Sequence, residues 1–210
     1  DQQPTTSNAG SAQTNCNSGT FTMAANTPSV GTGAWSVVSG TATITTSSSP
    51  TTTVTGVPVG TSATLRWTIT NGTCSSTSTV TISNNSPATV SAGSNQTICS
   101  GSTATMAGSF GGGASSATWT TSGSGTFNNN NTNAIYTPSA ADISAGSVTI
   151  TYTTNDPAGP CTAVNASMTL TINQAATVSA GSNQTICSGS AATMAASYGG
   201  SATSATWSTS

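Results

Sequence analysis

Five cysteines, Cys16, Cys74, Cys99, Cys161 and Cys187, are the residues of this 210-residue chain best placed to make covalent bonds. Their surroundings narrow the chemistry. The chain has no histidine and no lysine, Arg66 is its one cation, and Asp1, Asp142 and Asp156 are its only acids. General acid–base catalysis needs a titratable group set against a substrate, and a Ser/His/Asp or Cys/His nucleophile needs its imidazole. Zinc sites cluster Cys or His at CxxC-like spacing, which is absent, and calcium needs several carboxylates together. Nucleic-acid binding needs a basic stripe, which one arginine cannot make. Lys–Asn isopeptide cross-links require the missing lysine. The residues therefore predict no catalytic site, no metal, no cofactor and no nucleic-acid partner. Disulfide formation is the chemistry left, with five free thiols as the alternative.

What must position the cysteines is a repeated module. ATVSAGSNQTICSGS stands at 88–102 and again, letter for letter, at 176–190. The copies stay in step beyond it: Cys99 with Cys187, Met106 with Met194, Phe110 with Tyr198 and Trp119 with Trp207. A diverged copy, SAQTNCNSGTFTMAA, opens the chain with Cys16, Met23 and then Trp35. The period is roughly 83–88 residues, the size of a domain and longer than a solenoid repeat. The reading is two complete modules, 1–84 and 85–172, and the front of a third, 173–210, as in a window on a longer array.

Each module reads as an all-β, Ig-like sandwich of about seven strands. TSATLRWTITN sets Leu65, Trp67 and Ile69 on one face and Thr64, Arg66, Thr68 and Thr70 on the other. STSTVTISN alternates around Val80 and Ile82, GSVTITYTTN around Val148, Ile150 and Tyr152, and ASMTLTIN around Met168, Leu170 and Ile172. Strict period-two alternation with turn signals every 8–12 residues is the mark of a sandwich. No stretch carries a helical period beyond a turn or two. Trp35, Trp67, Trp119, Tyr152 and Trp207 are expected in the cores rather than as sugar platforms.

Composition tests that reading. Charged residues are 2% of the chain, against about 25% in ordinary globular proteins, while Ser and Thr make up about two residues in five. Disorder is the competing interpretation, but low net charge (−2) and tryptophans at fixed places favour folded sheets faced with hydroxyls. Large aliphatics are scarce, so each core is thin and a staple is expected. One cysteine stands before the second strand of each full module and one before its last. The expected bridges are Cys16–Cys74 and Cys99–Cys161, with the partner of Cys187 beyond Ser210. Loops of about sixty residues closed this way would each be worth around 4 kcal/mol. Disulfides imply an oxidising compartment, hence export to the cell surface or beyond. No apolar run approaches 18 residues, so no membrane insertion is expected in this segment. The loop NNNNTN after Phe127 is a candidate glycan contact, with a solvated turn as the plainer reading. Six N-x-[ST] sequons, at Asn71, Asn84, Asn95, Asn130, Asn165 and Asn183, match the number chance supplies in so hydroxyl-rich a chain, although O-glycosylation would suit such a surface.

One stretch carries a resemblance. Gly33 and Trp35, then Pro50, Val54, Gly56, Val57, Pro58 and Gly60, then Leu65, Trp67, Thr68, Ile69, Asn71, Gly72 and Cys74 follow a pattern of the form G-x-W…P-x-x-x-V-x-G-V-P-x-G…L-x-W-T-I-x-N-G-x-C. This resembles the PKD-like, Ig-like repeats of giant surface proteins from the Bacteroidetes. The second module fits more loosely, with Tyr152 for the tryptophan and NDPAGPC for NGTC. The resemblance implies a long secreted or surface filament, exported by the type IX system and acting in adhesion or gliding, with the repeats as stalk and no catalytic residues. Partners would be neighbouring repeats or copies of the same chain, with surface glycans as a further candidate. Linkers SNNSPATV, stiffened by Pro87, and NQAATV would set the angle between modules. Two other readings stand beside the stalk: a polymerising subunit whose incomplete third module is completed by a strand from a neighbour, and a binding module for glycans or ice.

Overall fold

The computed structural model describes residues 2–157 and 159–209, so Asp1 lies outside the described residues. The chain divides into two compact units. The first takes in the chain through Thr89, together with Phe110–Ser116 and Thr154–Val164; the second takes in Val90–Ser109, Ala117–Thr153 and Asn165 onward.

The first unit holds β1 (Gln13–Cys16), β2 (Phe21–Thr22), β3 (Thr32–Ser39), β4 (Thr43–Ile44), β5 (Thr53–Thr55), β6 (Thr61–Asn71) and β7 (Cys74–Asn85). They form two sheets, ordered β1-β7-β6-β3 and β2-β5-β4. The third, sixth and seventh strands share one sheet and the second, fifth and fourth share the other, which is the Ig-like arrangement. β1 runs parallel to β7, whereas β6 pairs antiparallel with both β3 and β7. The alternation read from the sequence is the one observed: Leu65, Trp67 and Ile69 are fully buried, and Arg66 and Thr70 face out. Val80 and Ile82 of β7 join Phe21, Met23, Trp35 and Val54 in one core. Trp35 and Trp67 sit opposite each other in the β3–β6 register, their rings 5.2 Å apart. Gly33 is required there, because a Cβ would strike the Trp67 ring. That contact explains the glycine two residues before Trp35.

Hydroxyls do more than coat the sheets. Ser7 Oγ donates to Trp67 O (2.7 Å) and lies 2.8 Å from Ser78 Oγ, and Ser62 and Ser83 hydroxyls meet across β6 and β7 at 2.8 Å. Such pairs join neighbouring strands across the sheet face.

Next along the chain come β8 (Ala88–Ser91), β9 (Gln96–Cys99), β10 (Ala104–Thr105), β11 (Ser109–Gly112), β12 (Ala117–Thr121), β13 (Thr126–Phe127), β14 (Ile135–Thr137), helix α1 (Ala140–Ala145), β15 (Ser147–Thr154) and β16 (Asn165–Asn173). The second unit repeats the plan in the orders β12-β15-β16-β9 and β10-β14-β13, and β8 pairs with β11 in a two-stranded ribbon. Met106, Trp119, Tyr136, Val148, Ile150, Tyr152, Met168, Leu170 and Ile172 are buried. Trp119 stacks on Tyr152 with centroids 4.0 Å apart, as Trp35 meets Trp67 in the first unit.

Two features of this unit add to expectation. The asparagine loop is exposed along 128–133, as the solvated turn of the plainer reading, and it is also tied to the core. Asn130 Oδ1 accepts from Trp119 N (3.2 Å), Asn131 O accepts from Trp119 Nε1 (2.9 Å) and Tyr152 OH donates to Asn130 O (3.2 Å). In the first unit Ser47 O and Ser49 O do the same for Trp35 (2.8 and 3.1 Å). The second feature is α1, too short for any periodicity to reveal. Ser139 caps it by accepting from Asp142 N, and Gly146 ends it at φ 76°.

Asp142 in α1 is 2% exposed. Its carboxylate accepts from Ser124 N (2.9 Å), Gly125 N (2.8 Å), Ser139 N (2.9 Å) and Tyr136 OH (2.8 Å). Burial by itself would raise its pKa. The backbone donors of Ser139 and Ser124 and the two hydroxyls outweigh that and bring it to about 2. A carboxylate depressed from about 3.9 stabilises the fold fully above pH 4 and loses that contribution as pH falls toward 2, an effect of about 2 kcal/mol. Hydrogen exchange should therefore show β15 and β16 losing protection between pH 4 and 2 while β6 and β7 keep theirs. Asp142→Asn should lower the protection of β15 and β16 at pH 7 and flatten that acid dependence. Equal acid loss in both units would refute the assignment.

Candidate functional site: the cross-linked end of the first unit

The single disulfide among the described residues joins Cys16 to Cys161, 145 residues apart, with Cα atoms separated by 5.1 Å. Cys74, Cys99 and Cys187 are free and exposed. The expected Cys16–Cys74 and Cys99–Cys161 bridges are therefore replaced, and the register shows why. β1 is parallel to β7 with Cys16 opposite Asn85, the last residue of that strand, whereas Cys74 is its first. Eleven strand steps at ~3.4 Å put about 37 Å between those ends, and a disulfide needs Cα atoms within about 7 Å. In the same way Cys99 lies opposite Asn173 at the end of β16, while Cys161 precedes the start of that strand at Asn165. In the first repeat the two cysteines thus stand at opposite ends of β7, and Cys161 is taken by Cys16, which leaves Cys99 free.

The bond that does form is built from four segments of the first unit. The β1 strand ends at Cys16, and Asn17, at φ 53°, turns the chain away and donates its N–H to Asn85 O (3.0 Å). Cys161 Sγ lies 3.7 Å from that same carbonyl oxygen, and Cys161 is 2% exposed. The loop bearing Cys161 is tied down at Asn155, whose Oδ1 accepts from Ser115 N and Ser116 N (2.9 and 3.0 Å) and whose N–H donates to Ser116 O (2.9 Å). Thr154 and Val164 close the loop base with three hydrogen bonds. The turn before Ser115 is held by Gly113 N donating to Pro87 O (3.0 Å). Below Cys16, Asn84 is buried and its Nδ2 donates to Val57 O (2.9 Å). The two cysteines come from successive sequence repeats.

Of the five aromatic residues expected in cores, Trp35, Trp67, Trp119 and Tyr152 are buried. Trp207 is not: it is 56% exposed, and it follows a two-stranded antiparallel pair, β17 (Thr177–Ser179) with β18 (Ser197–Gly199). Among the described residues no three His, Cys, Asp or Glu side chains gather as metal ligands. No helix of the described residues is long and apolar enough to cross a membrane.

No protein-family model matches the chain, and no curated protein does. Among solved structures it is similar to titin domains Z1Z2 in complex with telethonin (13% identity, TM-score 0.35, 83% of this chain and 98% of that one). It is also similar to mouse cadherin-23 EC22–24 (14%, 0.41, 82% and 67%) and to protocadherin gammaB7 EC3–6 (16%, 0.44, 84% and 50%). At these scores the likenesses carry no functional argument, and the Ig-like assignment stands on strand order.

Non-reducing peptide mapping should recover Cys16 linked to Cys161 and three alkylatable thiols. Cys16→Ser should lower the unfolding free energy by up to about 5 kcal/mol, the chain-entropy value for a closed loop of 145 residues. A Cys16–Cys74 peptide would contradict the register described above.

Proposed function

We propose that this chain is a run of stalk modules, 1–84, 85–172 and 173–210, of a large secreted or cell-surface filament or adhesin, non-catalytic and load-bearing. The observation that carries the reading is the Cys16–Cys161 bond, which ties one sequence repeat to the next. A tether under tension would gain from such a tie. The bond prevents the residues between its cysteines from being pulled out to full length. It also supports an oxidising, extracellular location. The hydroxyl-rich, almost uncharged faces suit an assembly whose cohesion is indifferent to salt, since few charges are there to be screened. The resemblance of residues 33–74 to repeats of Bacteroidetes surface proteins points the same way.

The polymerising-subunit reading has one specific observation in its favour, the uncovered apolar residues of the third repeat: Val178, Ile186, Met194, Tyr198 and Trp207 are all more than half exposed. A neighbour's strand could cover them by β-addition. Size separates the two readings. On a reducing, denaturing gel of the source material, antibody to this chain should mark one very large polypeptide for the stalk and a small discrete band for the subunit.

Pulling one molecule by its ends tests the load-bearing role. In oxidised protein the stretch between Cys16 and Cys161 stays locked. Reductant should add about 500 Å of extension, from 145 residues at ~3.5 Å each. An extension unchanged by reductant would remove the mechanical role of the bond.

A further inference from the structure

We propose that the Asp156–Pro157 peptide bond is a self-cleavage site, with the Asp156 carboxyl as nucleophile and the Asn155 amide as donor to the scissile carbonyl. The reaction is a single event of the chain on itself and not turnover of a substrate. It stands apart from the stalk reading and does not depend on it.

The chain has eight prolines, and only Pro157 follows an acidic residue. An aspartate side chain can close a small ring on its own backbone carbonyl. The nitrogen displaced here belongs to a tertiary amide, which takes up a proton more readily than an ordinary peptide nitrogen. The fold adds a polarising group. Asn155 Nδ2 donates to Asp156 O, the oxygen of the scissile carbonyl, at 3.3 Å. That amide is held in place: Asn155 Oδ1 accepts from Ser115 N (2.9 Å) and Ser116 N (3.0 Å), and Asn155 N donates to Ser116 O (2.9 Å). An oxygen that gains negative charge as its carbonyl is attacked therefore meets a donor already aimed at it. On the far side of the bond Pro157 is buried, while Asp156 is exposed. Pro157 packs on the turn at 110–116, where a Cβ added to Gly113 would lie 3.2 Å from Pro157 Cβ. The peptide plane is thus fixed on both sides, and the carboxyl is open to the water that completes the reaction. Apart from Asp156, residues 84–87, 110–116 and 154–164 carry no charged side chain, so these segments offer no cation to hold the carboxylate away.

The step balances without a co-reactant other than water. An Asp156 carboxyl oxygen bonds to the Asp156 carbonyl carbon, and the C–N bond to Pro157 breaks. The carboxyl proton passes to the proline nitrogen, which leaves as a secondary amine. The cyclic anhydride that results takes up one water and opens to an aspartic acid with a free α-carboxyl. Nothing is oxidised or reduced. The nick falls inside the span closed by Cys16 and Cys161, so residues 1–156 and 157–210 stay joined through that disulfide.

The test incubates the oxidised 210-residue chain for days at about pH 4, beside a sample in urea at the same pH. Asp142, with a pKa of about 2, remains ionised there and keeps its support of the fold. The expected product is one species without reductant, heavier than the parent by one water. With reductant it should give two fragments, the smaller beginning Pro157-Ala158-Gly159. Cleavage should be about tenfold faster in the folded sample than in urea, and Asp156→Asn should not cleave. Asn155→Asp keeps the acceptor for Ser115 and Ser116 but removes the donor, and should slow the reaction about tenfold. That is less than the roughly hundredfold loss at an enclosed oxyanion hole, because this carbonyl is exposed. A recovered Cys16–Cys161 peptide shows that the variant has folded; where it has not, the comparison with urea decides. No cleavage at 156–157, equal rates in the folded and urea samples, or an unchanged rate in folded Asn155→Asp would each overturn the proposal.

Discussion

The parallel pairing of the first strand with the last places Cys16 opposite Asn85 and Cys99 opposite Asn173, at the ends of β7 and β16. In an antiparallel hairpin such as β6–β7, residues near the turn are neighbours in sequence and in space. In the parallel β1–β7 pair the four residues of β1 run alongside the last four of β7, Ile82–Asn85, so the two strands end together, far from the start of β7. A cysteine at the end of the first strand and one at the start of the last are thereby held at opposite poles. The fold turns what could have been an internal staple into a link across a repeat boundary. Both cysteines lie in the first compact unit, although they come from successive sequence repeats.

That link acts on a core with little to spare. Ala9, Ala63, Ala104, Ala117 and Ala134 are buried where larger aliphatics are usual. Each repeat centres one aromatic pair in its core, Trp35 with Trp67 or Trp119 with Tyr152. The paired rings demand space from glycine: Gly33 against Trp67, and Gly108 against Trp119 and Tyr152. They also demand acceptors, and in each repeat the loop before the fifth strand folds over the indole to supply them. Asp142 adds a second polar anchor, satisfying backbone N–H groups of Ser124, Gly125 and Ser139 that the short β13–β14 sheet leaves unpaired. Carboxylate and asparagine thus serve here as structural acceptors rather than as chemistry.

The strands and their inward faces were legible because period-two alternation is a local signal: Leu65, Trp67, Ile69, Val148, Ile150 and Tyr152 point where their spacing says. The repeat was legible because identity is visible without structure. The cysteine pairing was not, since it depends on which way β1 runs beside β7, and no local pattern encodes strand direction. Nor was the role of Asp142, whose donors lie up to 18 residues away and are mostly backbone N–H groups. A lone acid in an almost uncharged chain was the available hint.

The fifteen residues that occur twice separate these two kinds of information in one molecule. In both copies the glutamine anchors to a threonine carbonyl nine residues on, Gln96 to Thr105 and Gln184 to Thr193, and the turn after the cysteine closes with the same bond, Ser102 to Cys99 and Ser190 to Cys187. The leading ribbon also recurs, β8 with β11 and β17 with β18. Yet Gln96–Cys99 is a strand and 184–187 is not. Sequence is the same and local hydrogen bonds are the same; what differs is the presence of Leu170–Asn173 alongside the first copy. Turns therefore belong to the fifteen residues themselves and anchors to those residues with the threonine just beyond them, whereas strand character is conferred by a partner. The last strand, where it is present, fixes the cysteine of the first copy opposite Asn173.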